Sequence, residues 1–303
     1  MKYFLLLATL LLAVASIAFA QEAPKTPPIT DSSWRISVTS GLTATQTAYS
    51  NNWAGGEAGS FSWAFNSLTL AGKQLSSKLN STNTLKLAFG QTLSQQRQPD
   101  GSLHWTAPQK STDLIDFESV LRFTLQKFVD PYLAFRLETE FFDGSVPGIK
   151  RYLSPLKTTE SGGILRVFRD DPKTLVFKTR LGFALRQISV KAIVDTAALS
   201  TKRNTTNDGG IESVTDLTAQ LRSNLGYTTK LSLYKALFFS KSKEAPNSNW
   251  KSVDMNWEHL LNASITKYLQ TTLYFQLLFD KEIDAKIRVK ETLGLGLSWK
   301  FTH

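Results

Sequence analysis

From about Trp34 to Phe301 the chain repeats short stretches in which apolar and polar residues alternate. In the last stretch, residues 292–301, leucines and aromatic residues hold every second position, and small or polar residues hold the others. Successive side chains of a β-strand point to opposite faces, so this pattern indicates a strand with one apolar face and one polar face. A fold made of such strands must be either a sandwich with a shared core or a barrel in lipid.

Segments with this period of two give twelve candidate strands. The predicted strands cover residues 34–45, 58–71, 83–94, 113–126, 131–142, 162–169, 174–190, 213–225, 227–239, 250–265, 268–280 and 288–301. Each apolar stripe is about five or six positions long, which suits a tilted strand that crosses a bilayer.

The connections between these strands alternate between long and short. Long polar connections are predicted at 46–57, 95–112, 143–161, 191–212, 240–249 and 281–287, and short ones at 127–130, 170–173, near Gly226 and at 266–267. Only the connection over 72–82 is longer than this alternation predicts. Outer-membrane barrels combine short periplasmic turns with long outer loops, whereas a soluble sandwich has no reason to do so. The sequence therefore predicts an all-β fold, a single antiparallel up-and-down transmembrane β-barrel of about twelve strands.

The first twenty residues have the parts of a secretory signal peptide. Lys2 is followed by an apolar stretch over residues 4–15 and by the small-x-small sequence Ala18-Phe19-Ala20. The apolar stretch is too short for a transmembrane helix. We expect a cleaved signal peptide at 1–20, a short flexible periplasmic segment at 21–33 and a barrel at 34–303. The predicted location is the outer membrane of a Gram-negative-type bacterium, and the expected partners are its lipids and, during biogenesis, the barrel-assembly machinery.

Composition narrows the function further. The chain has no cysteine, which excludes disulfides, thiolate metal sites and lipid attachment at a lipoprotein cysteine. Its net charge of +10 is scattered among acidic residues, so we expect no nucleic-acid partner and assign the charge to loops and lumen.

If the apolar positions face lipid, the alternate positions line the lumen. The predicted lumen-lining residues are Asp116, Glu118, Arg122, Arg136, Glu138, Glu140, Lys178, Arg180, Arg186, Arg222, Asp254 and Glu258. Charges inside a barrel must be paired or hydrated. Two interpretations stay open: a structural barrel whose lumen is filled by an ion network, or a narrow selective channel for small solutes.

Catalysis has little support in the sequence. His259 could belong to a lipid-facing Ser-His-Asn triad, as in an outer-membrane phospholipase, but Asn262 and Ser264 have the opposite strand parity and would point into the lumen. No two histidines have metal-ligand spacing, and Asn207 and Asp208 lack the calcium-loop signature. We predict no catalytic residue, cofactor or metal. A third interpretation is a loop-based binding or adhesion barrel, with Trp53, Trp105 and Tyr152 as exposed anchors.

Four stretches together carry a resemblance to a known family. They are residues 50–57 (Ser-Asn-Asn-Trp-Ala-Gly-Gly-Glu), 110–117 (Lys-Ser-Thr-Asp-Leu-Ile-Asp-Phe), 135–141 and 152–155. In this order the chain resembles the domain of unknown function 3078 family of predicted outer-membrane proteins. The positions that match the family are Asn52, Trp53, Gly55, Gly56, Glu57, Thr112, Asp113, Asp116, Phe117 and Pro155. The resemblance implies an outer-membrane β-barrel and supplies no activity.

Overall fold

A computed structural model describes residues 33–49, 57–125, 127–146, 149–195, 200–243 and 248–302. The predicted signal peptide, nearly all of the segment at 21–33, and the family-like positions Asn52, Trp53, Gly55 and Gly56 lie outside the described residues. Within these ranges no helix is both long and apolar enough to cross a membrane.

The described chain consists almost entirely of strands. In chain order they are β1 (Arg35–Thr47), β2 (Ser60–Ser76), β3 (Leu79–Arg97), β4 (Leu103–Trp105), β5 (Gln109–Phe123), β6 (Asp130–Thr139), β7 (Phe142–Val146), β8 (Ile149–Tyr152), β9 (Leu156–Asp171), β10 (Leu175–Asp195), β11 (Ser200–Arg222), β12 (Leu225–Phe239), β13 (Val253–Ser264), β14 (Leu269–Asp280) and β15 (Asp284–Thr302). A single turn of 3-10 helix, Asn249–Lys251, precedes β13.

Twelve of these strands form one closed antiparallel barrel. Each long strand pairs with the next along the chain, β3 with β5 and β6 with β9 across the short strands, and β1 pairs with β15 to close the ring. The all-β, twelve-stranded, up-and-down prediction is confirmed. The remaining three strands are short additions, β4 beside β3 and a separate β7–β8 hairpin. The sequence pattern predicted none of these three.

Two connections that are predicted to be long are short turns in the structure. β2 continues to Ser76 and β3 begins at Leu79, so the expected connection at 72–82 is a two-residue turn. The stretch Asn80–Thr84 is polar on both faces, so it has no apolar alternation although its backbone pairs regularly. Likewise β15 begins at Asp284, which leaves three residues where 281–287 was expected to be a loop.

The predicted connection at 191–212 is mostly strand. The β10–β11 ladder runs from Leu175↔Ala219 to Asp195↔Ser200, well past the apolar stripe. Its far end is rich in polar residues, so the apolar period that identifies a strand is missing there. The hairpin therefore extends beyond the barrel wall at the end that carries the long connections.

The barrel is apolar outside and mixed inside. Large apolar side chains on outward positions are well exposed, with Leu293 at 70%, Leu295 at 57% and Leu133 at 55%. Exposed leucines on the outer surface of a closed barrel are what a lipid-facing band requires. Inside, a small apolar cluster of Val120, Tyr132 and Leu165 packs on one wall.

Tyr132 depends on two glycines that face it. Gly163 lies opposite Tyr132 on β9, and Gly182 lies opposite Gly163 on β10, so the ring passes over a wall without side chains. A Cβ on Gly182 would lie 2.5 Å from the Tyr132 hydroxyl and 2.4 Å from the Gly162 carbonyl oxygen. The 2% exposure of Tyr132 is possible only because these positions are glycine.

We expect Gly182→Ala to lower the free energy of unfolding by about 1–3 kcal/mol, because the methyl group overpacks this contact. The matched control is Gly72→Ala, a lumen-facing glycine whose Cβ would meet nothing closer than 3.9 Å. Urea unfolding in lipid vesicles measures both. Equal stability of the two variants would contradict the proposed packing of Tyr132.

Candidate functional site

The lumen contains a group of ten charged side chains that we term the charge belt. Its members come from eight strands and comprise five bases and five acids: Lys86, Arg136, Lys157, Arg180, Lys230, Asp116, Glu118, Glu138, Glu212 and Glu258. The belt is therefore neutral as a whole, and each member lies within 4 Å of at least one opposite charge.

Along one wall the belt is a chain of neighbouring strands. The Arg136 guanidinium on β6 donates from Nε and Nη2 to the two carboxylate oxygens of Asp116 on β5, at 2.9 and 3.0 Å. It also lies 3.2 Å from Glu138, which in turn pairs with Lys157 on β9 at 3.3 Å. The bidentate contact between Arg136 and Asp116 is the strong form of an arginine–carboxylate ion pair, and it fixes the planes of the guanidinium and the carboxylate.

Two ion pairs of the belt cross the lumen. Lys86 Nζ on β3 donates to Glu258 Oε2 on β13 at 2.9 Å, and Lys230 Nζ on β12 donates to Glu118 Oε2 on β5 at 2.8 Å. In each pair the strands are five positions apart around a ring of twelve, so they lie on nearly opposite sides of the barrel. Arg180 on β10 also hydrogen-bonds Glu118. The belt thus bridges the barrel from wall to wall.

A second cluster lies nearer the end with the long connections. Arg186 on β10 donates to both oxygens of Asp208, at 2.8 and 3.1 Å, and to Asp254 at 2.8 Å. The guanidinium carbon lies 3.6 Å from the centre of the Tyr234 ring, and the Tyr234 hydroxyl donates to Asp208. Both carboxylate oxygens of Asp208 therefore accept hydrogen bonds inside the lumen.

Three other predicted lumen residues lie outside the two clusters, at different heights in the barrel. Arg122 lies 3.7 Å from Asp130 near the short turns, Glu140 pairs with Lys110 at the opposite rim, and Lys178 lies half-buried on the lumen parity of β10.

The prediction that Arg222 lines the lumen is wrong. A bulge between Gln220 and Arg222 shifts its parity, so it faces outward opposite Leu225 and is exposed.

Five charged residues of the two clusters are not among the predicted lumen residues. Lys86, Lys157, Glu212 and Lys230 belong to the belt, and Asp208 belongs to the second cluster. Lys86 and Lys230 have the same strand parity as the polar residues beside them, so parity could have identified them. Lys157, Asp208 and Glu212 could not be found this way because all three fall in segments predicted as loops.

The lumen wall opposite the belt is different in character. We term the lumen-facing residues of β14, β15, β1 and β2 the open wall, and those of β5, β6 and β9–β12 the packed wall. On β1 the lumen-facing positions are Ser37, Thr39, Gly41, Thr43, Thr45 and Thr47, and on β15 they include Thr292, Gly294, Gly296 and Ser298.

The two walls differ sharply in exposure. Thr45, Asn66 and Thr292 on the open wall are exposed, and Leu70 there is 43% exposed. On the packed wall Ala184 and Val214 are at most 1% exposed. None of the described lumen-facing residues of the open wall is buried.

Residues of the family-like motif shape the rim. The Asp113 carboxylate accepts hydrogen bonds from the backbone N–H groups of Phe141 and Phe142, at 2.7 and 3.2 Å, and Lys110 contacts it at 3.1 Å. These contacts turn the chain from β6 into the β7–β8 hairpin. Pro155 accepts a hydrogen bond from Thr139 at 2.8 Å. Thr112 lies opposite Gly90, Phe117 points outward, and Glu57 is exposed ahead of β2.

The β7–β8 hairpin is held by Asp143. Partial burial tends to raise the pKa of its carboxyl, but hydrogen bonds from Ser145 and the charge of Arg151 outweigh this and lower the pKa below its usual value. Of the proposed loop anchors, Tyr152 lies 6.3 Å from the Phe142 ring and Trp105 is half exposed, whereas Trp53 lies outside the described residues.

No triad assembles around His259. Its Nδ1 lies 2.7 Å from the Tyr227 hydroxyl on the outward face, between Trp257 and Phe275. Asn262 has the lumen parity and accepts hydrogen bonds from two side chains of β14. Among the described residues no group of three or more His, Cys, Asp or Glu side chains could hold a metal ion.

Solved structures with a similar course of the backbone include three bacterial proteins. An outer membrane channel from Pseudomonas putida F1 has a TM-score of 0.42 at 12% identity, over 93% of this chain and 100% of that one. The translocator domain of autotransporter NalP from Neisseria meningitidis has a TM-score of 0.37 at 10% identity, over 99% and 96%. The NanC porin has a TM-score of 0.37 at 9% identity, over 86% and 98%.

At these identities and TM-scores the likenesses do not indicate a shared activity. No curated protein matches the chain by sequence. Residues 44–144 match the model of the family described as protein of unknown function (DUF3078), which confirms the family resemblance predicted from the sequence.

Proposed function

We propose that this protein is an outer-membrane β-barrel that acts as a narrow, non-enzymatic channel for small solutes. The barrel is closed, and its outward positions carry exposed leucines and aromatic residues, as a lipid-facing band requires. The observation that carries the channel is the difference between the two walls of the lumen: many lumen-facing residues of the packed wall are buried, whereas those described on the open wall are all exposed or half-buried.

The charge belt limits the width of this channel. Its two transverse ion pairs exclude a wide pore, since they occupy the middle of the lumen. Breaking a buried ion pair leaves an uncompensated charge, which costs about 3–5 kcal/mol, so the pairs stay formed at rest. The purely structural barrel, with a lumen filled by the belt, is the alternative, and it predicts no conductance.

Lys86 lies on β3, next to β2 of the open wall. Its side chain is more exposed than that of Glu258, its partner across the lumen. It also lies 3.8 Å from Asp116, so it neutralises two carboxylates at once. The passage along the open wall runs past this lysine, so the charge of Lys86 acts on solutes at the narrowest point of the passage.

We expect Lys86→Ala to raise single-channel conductance in planar bilayers and to increase the preference for cations. The substitution opens the bridge and gives the neutral belt a net charge of −1. The matched control is Lys157→Ala, which removes the same charge from the packed wall, where Lys157 pairs with Glu138. No conductance of the wild-type protein at any voltage would favour the structural barrel, and equal effects of both variants would contradict a passage along the open wall.

Export makes a separate prediction. When the full chain is expressed in a Gram-negative host, we expect it in the outer-membrane fraction with a mature N-terminus at Gln21, after cleavage of the proposed signal peptide. N-terminal sequencing of the purified protein measures this. A protein that keeps residues 1–20 and fractionates with the inner membrane would contradict the proposed location.

A further inference from the structure

The strands that close the barrel are paired over only part of their length. The ladder between β1 and β15 runs from Ser37↔Thr302 to Thr43↔Gly296, seven residue pairs, although β1 has 13 residues and β15 has 19. Beyond Thr43, β1 pairs only with β2, and Asp284 and residues 288–295 of β15 pair only with β14 within the part of the chain that the structure describes. We term this unpaired stretch the open seam.

Another short ladder in the barrel is covered, which makes the open seam distinctive. β5 and β6 pair from Arg122↔Tyr132 to Ile115↔Thr139, and β5 continues beyond β6 for several residues. There the carboxylate of Asp113 binds two backbone N–H groups of the chain leaving β6, and Lys110 binds the Phe142 carbonyl at 2.6 Å. No comparable side-chain contact covers residues 284–295 from the β1 side among the described residues.

The open seam begins inside the proposed membrane span. Phe301 and Trp299 are outward aromatic residues at the end with the short turns, where they suit an interface. A tilted strand crosses the hydrocarbon region in about ten residues, so the span of β15 extends to about residue 292. Pairing with β1 stops at Gly296, near the middle of that span. Unpaired backbone at this depth is tolerated only where it lines a water-filled cavity or is covered by protein.

Small side chains border the open seam. Gly294 and Thr292 on β15 and Thr45 on β1 face the lumen, and the outward neighbour Leu293 is 70% exposed. A Cβ on Gly294 would lie 3.1 Å from Thr43, so the strands are still close at that point. Between Gly294 and the end with the long connections, little side-chain volume therefore separates the lumen from the lipid.

Two cations face the lumen beside the open seam. Arg288 and Lys290 have the lumen parity of β15, opposite Leu278 and Gln276. Unlike the bases of the charge belt, neither has an acidic partner within 4 Å in the described chain. Among the described residues the Arg288 Nε is buried without a hydrogen-bond partner, and the Lys290 Nζ lies 5.9 Å from the centre of the Tyr274 ring. Because the membrane span of β15 extends to about residue 292, both cations lie at its outer end, where a lipid headgroup would lie.

We propose that the open seam is a lateral portal between the lumen and the outer half of the membrane for amphiphiles with one apolar chain and an anionic headgroup. Arg288 and Lys290 bind the headgroup, and the chain leaves between β1 and β15 over Leu293 and Leu295. The inference rests on the proposed channel, because the lumen must be open for such a molecule to reach the seam, and it names the class of molecule that uses it.

A disulfide lock tests the portal directly, because the chain has no native cysteine. Continuing the register beyond Thr43↔Gly296 places Thr47 opposite Thr292, so the pair Thr47→Cys and Thr292→Cys closes the seam when oxidised. The matched control is Val38→Cys with Phe301→Cys, which joins the same two strands where they are already paired.

The probe is decane-1-sulfonate, added to planar bilayers that contain the conducting protein. We expect it to block the wild type and the oxidised control, and to lose its block when the Thr47–Thr292 lock is oxidised and regain it on reduction. Methanesulfonate, which has the headgroup without the chain, should not block. Block by decane-1-sulfonate that persists in the locked protein, or no block of the conducting wild type, would overturn the portal.

The headgroup site has its own variants. Replacing Arg288 and Lys290 together with glutamine should weaken block by decane-1-sulfonate about tenfold, whereas Lys290→Arg should retain it. Unchanged block in the double variant would overturn the assignment of these two cations.

A second measurement does not need conductance. In lipid nanodiscs the backbone amides of residues 285–295 should exchange hydrogen at least about tenfold faster than those of β14, since one edge has no partner. Decane-1-sulfonate should slow this exchange. If the amides of residues 285–295 exchange as slowly as those of β14, the portal is overturned even if the channel conducts. If the wild type does not conduct but these amides exchange fast, the channel is overturned and the open seam is not.

Discussion

Two ion pairs that cross the lumen, Lys86–Glu258 and Lys230–Glu118, determine what this barrel can do. A ring of twelve strands encloses more space than small side chains can fill, and these two pairs divide it. Each connects strands on nearly opposite sides of the ring, and each ends in the network that Arg136 and Arg180 build on the packed wall. A carboxylate or ammonium in such a place is stable only while its partner is present.

The division produces a lumen with two unlike walls. On the packed wall, Tyr132 lies over glycines and the charges are matched, so this side acts as the rigid part of the fold. On the open wall, β1 and β15 present hydroxyl groups and glycines, which fill little space and bind one another weakly. The ladder between β1 and β15 ends among the same small residues that leave room for a passage, at Thr43↔Gly296. The channel and the proposed portal therefore have a common origin in the composition of two strands.

The sequence predicted the barrel well because alternation is a direct consequence of strand geometry between lipid and lumen. All twelve barrel strands were found, including β14, whose apolar residues from Leu269 to Phe279 share one face. Where a strand leaves the membrane its outer face no longer has to be apolar, so the signal disappears. For that reason the sequence pattern predicts a loop at the ends of β10 and β11 and does not predict the short strands β4, β7 and β8.

In the lumen, the alternation along each strand predicts which side chains face inward, but it does not predict which of them form ion pairs. Asp116 and Arg136 were both predicted to line the lumen, yet nothing in the sequence says that Lys86 reaches Glu258 across it, because that contact depends on how the ring closes. Arg222 was misplaced for a local reason, since one bulge reverses parity for all that follows it.

The reaction of introduced cysteines with a charged, water-soluble thiol reagent tests the central claim most directly. Single cysteines at Asn66 and Thr292 on the open wall are predicted to react at least about tenfold faster than cysteines at Val120 and Ala184 on the packed wall, because water reaches only the former. Equal reactivity on both walls would contradict the division of the lumen by the charge belt.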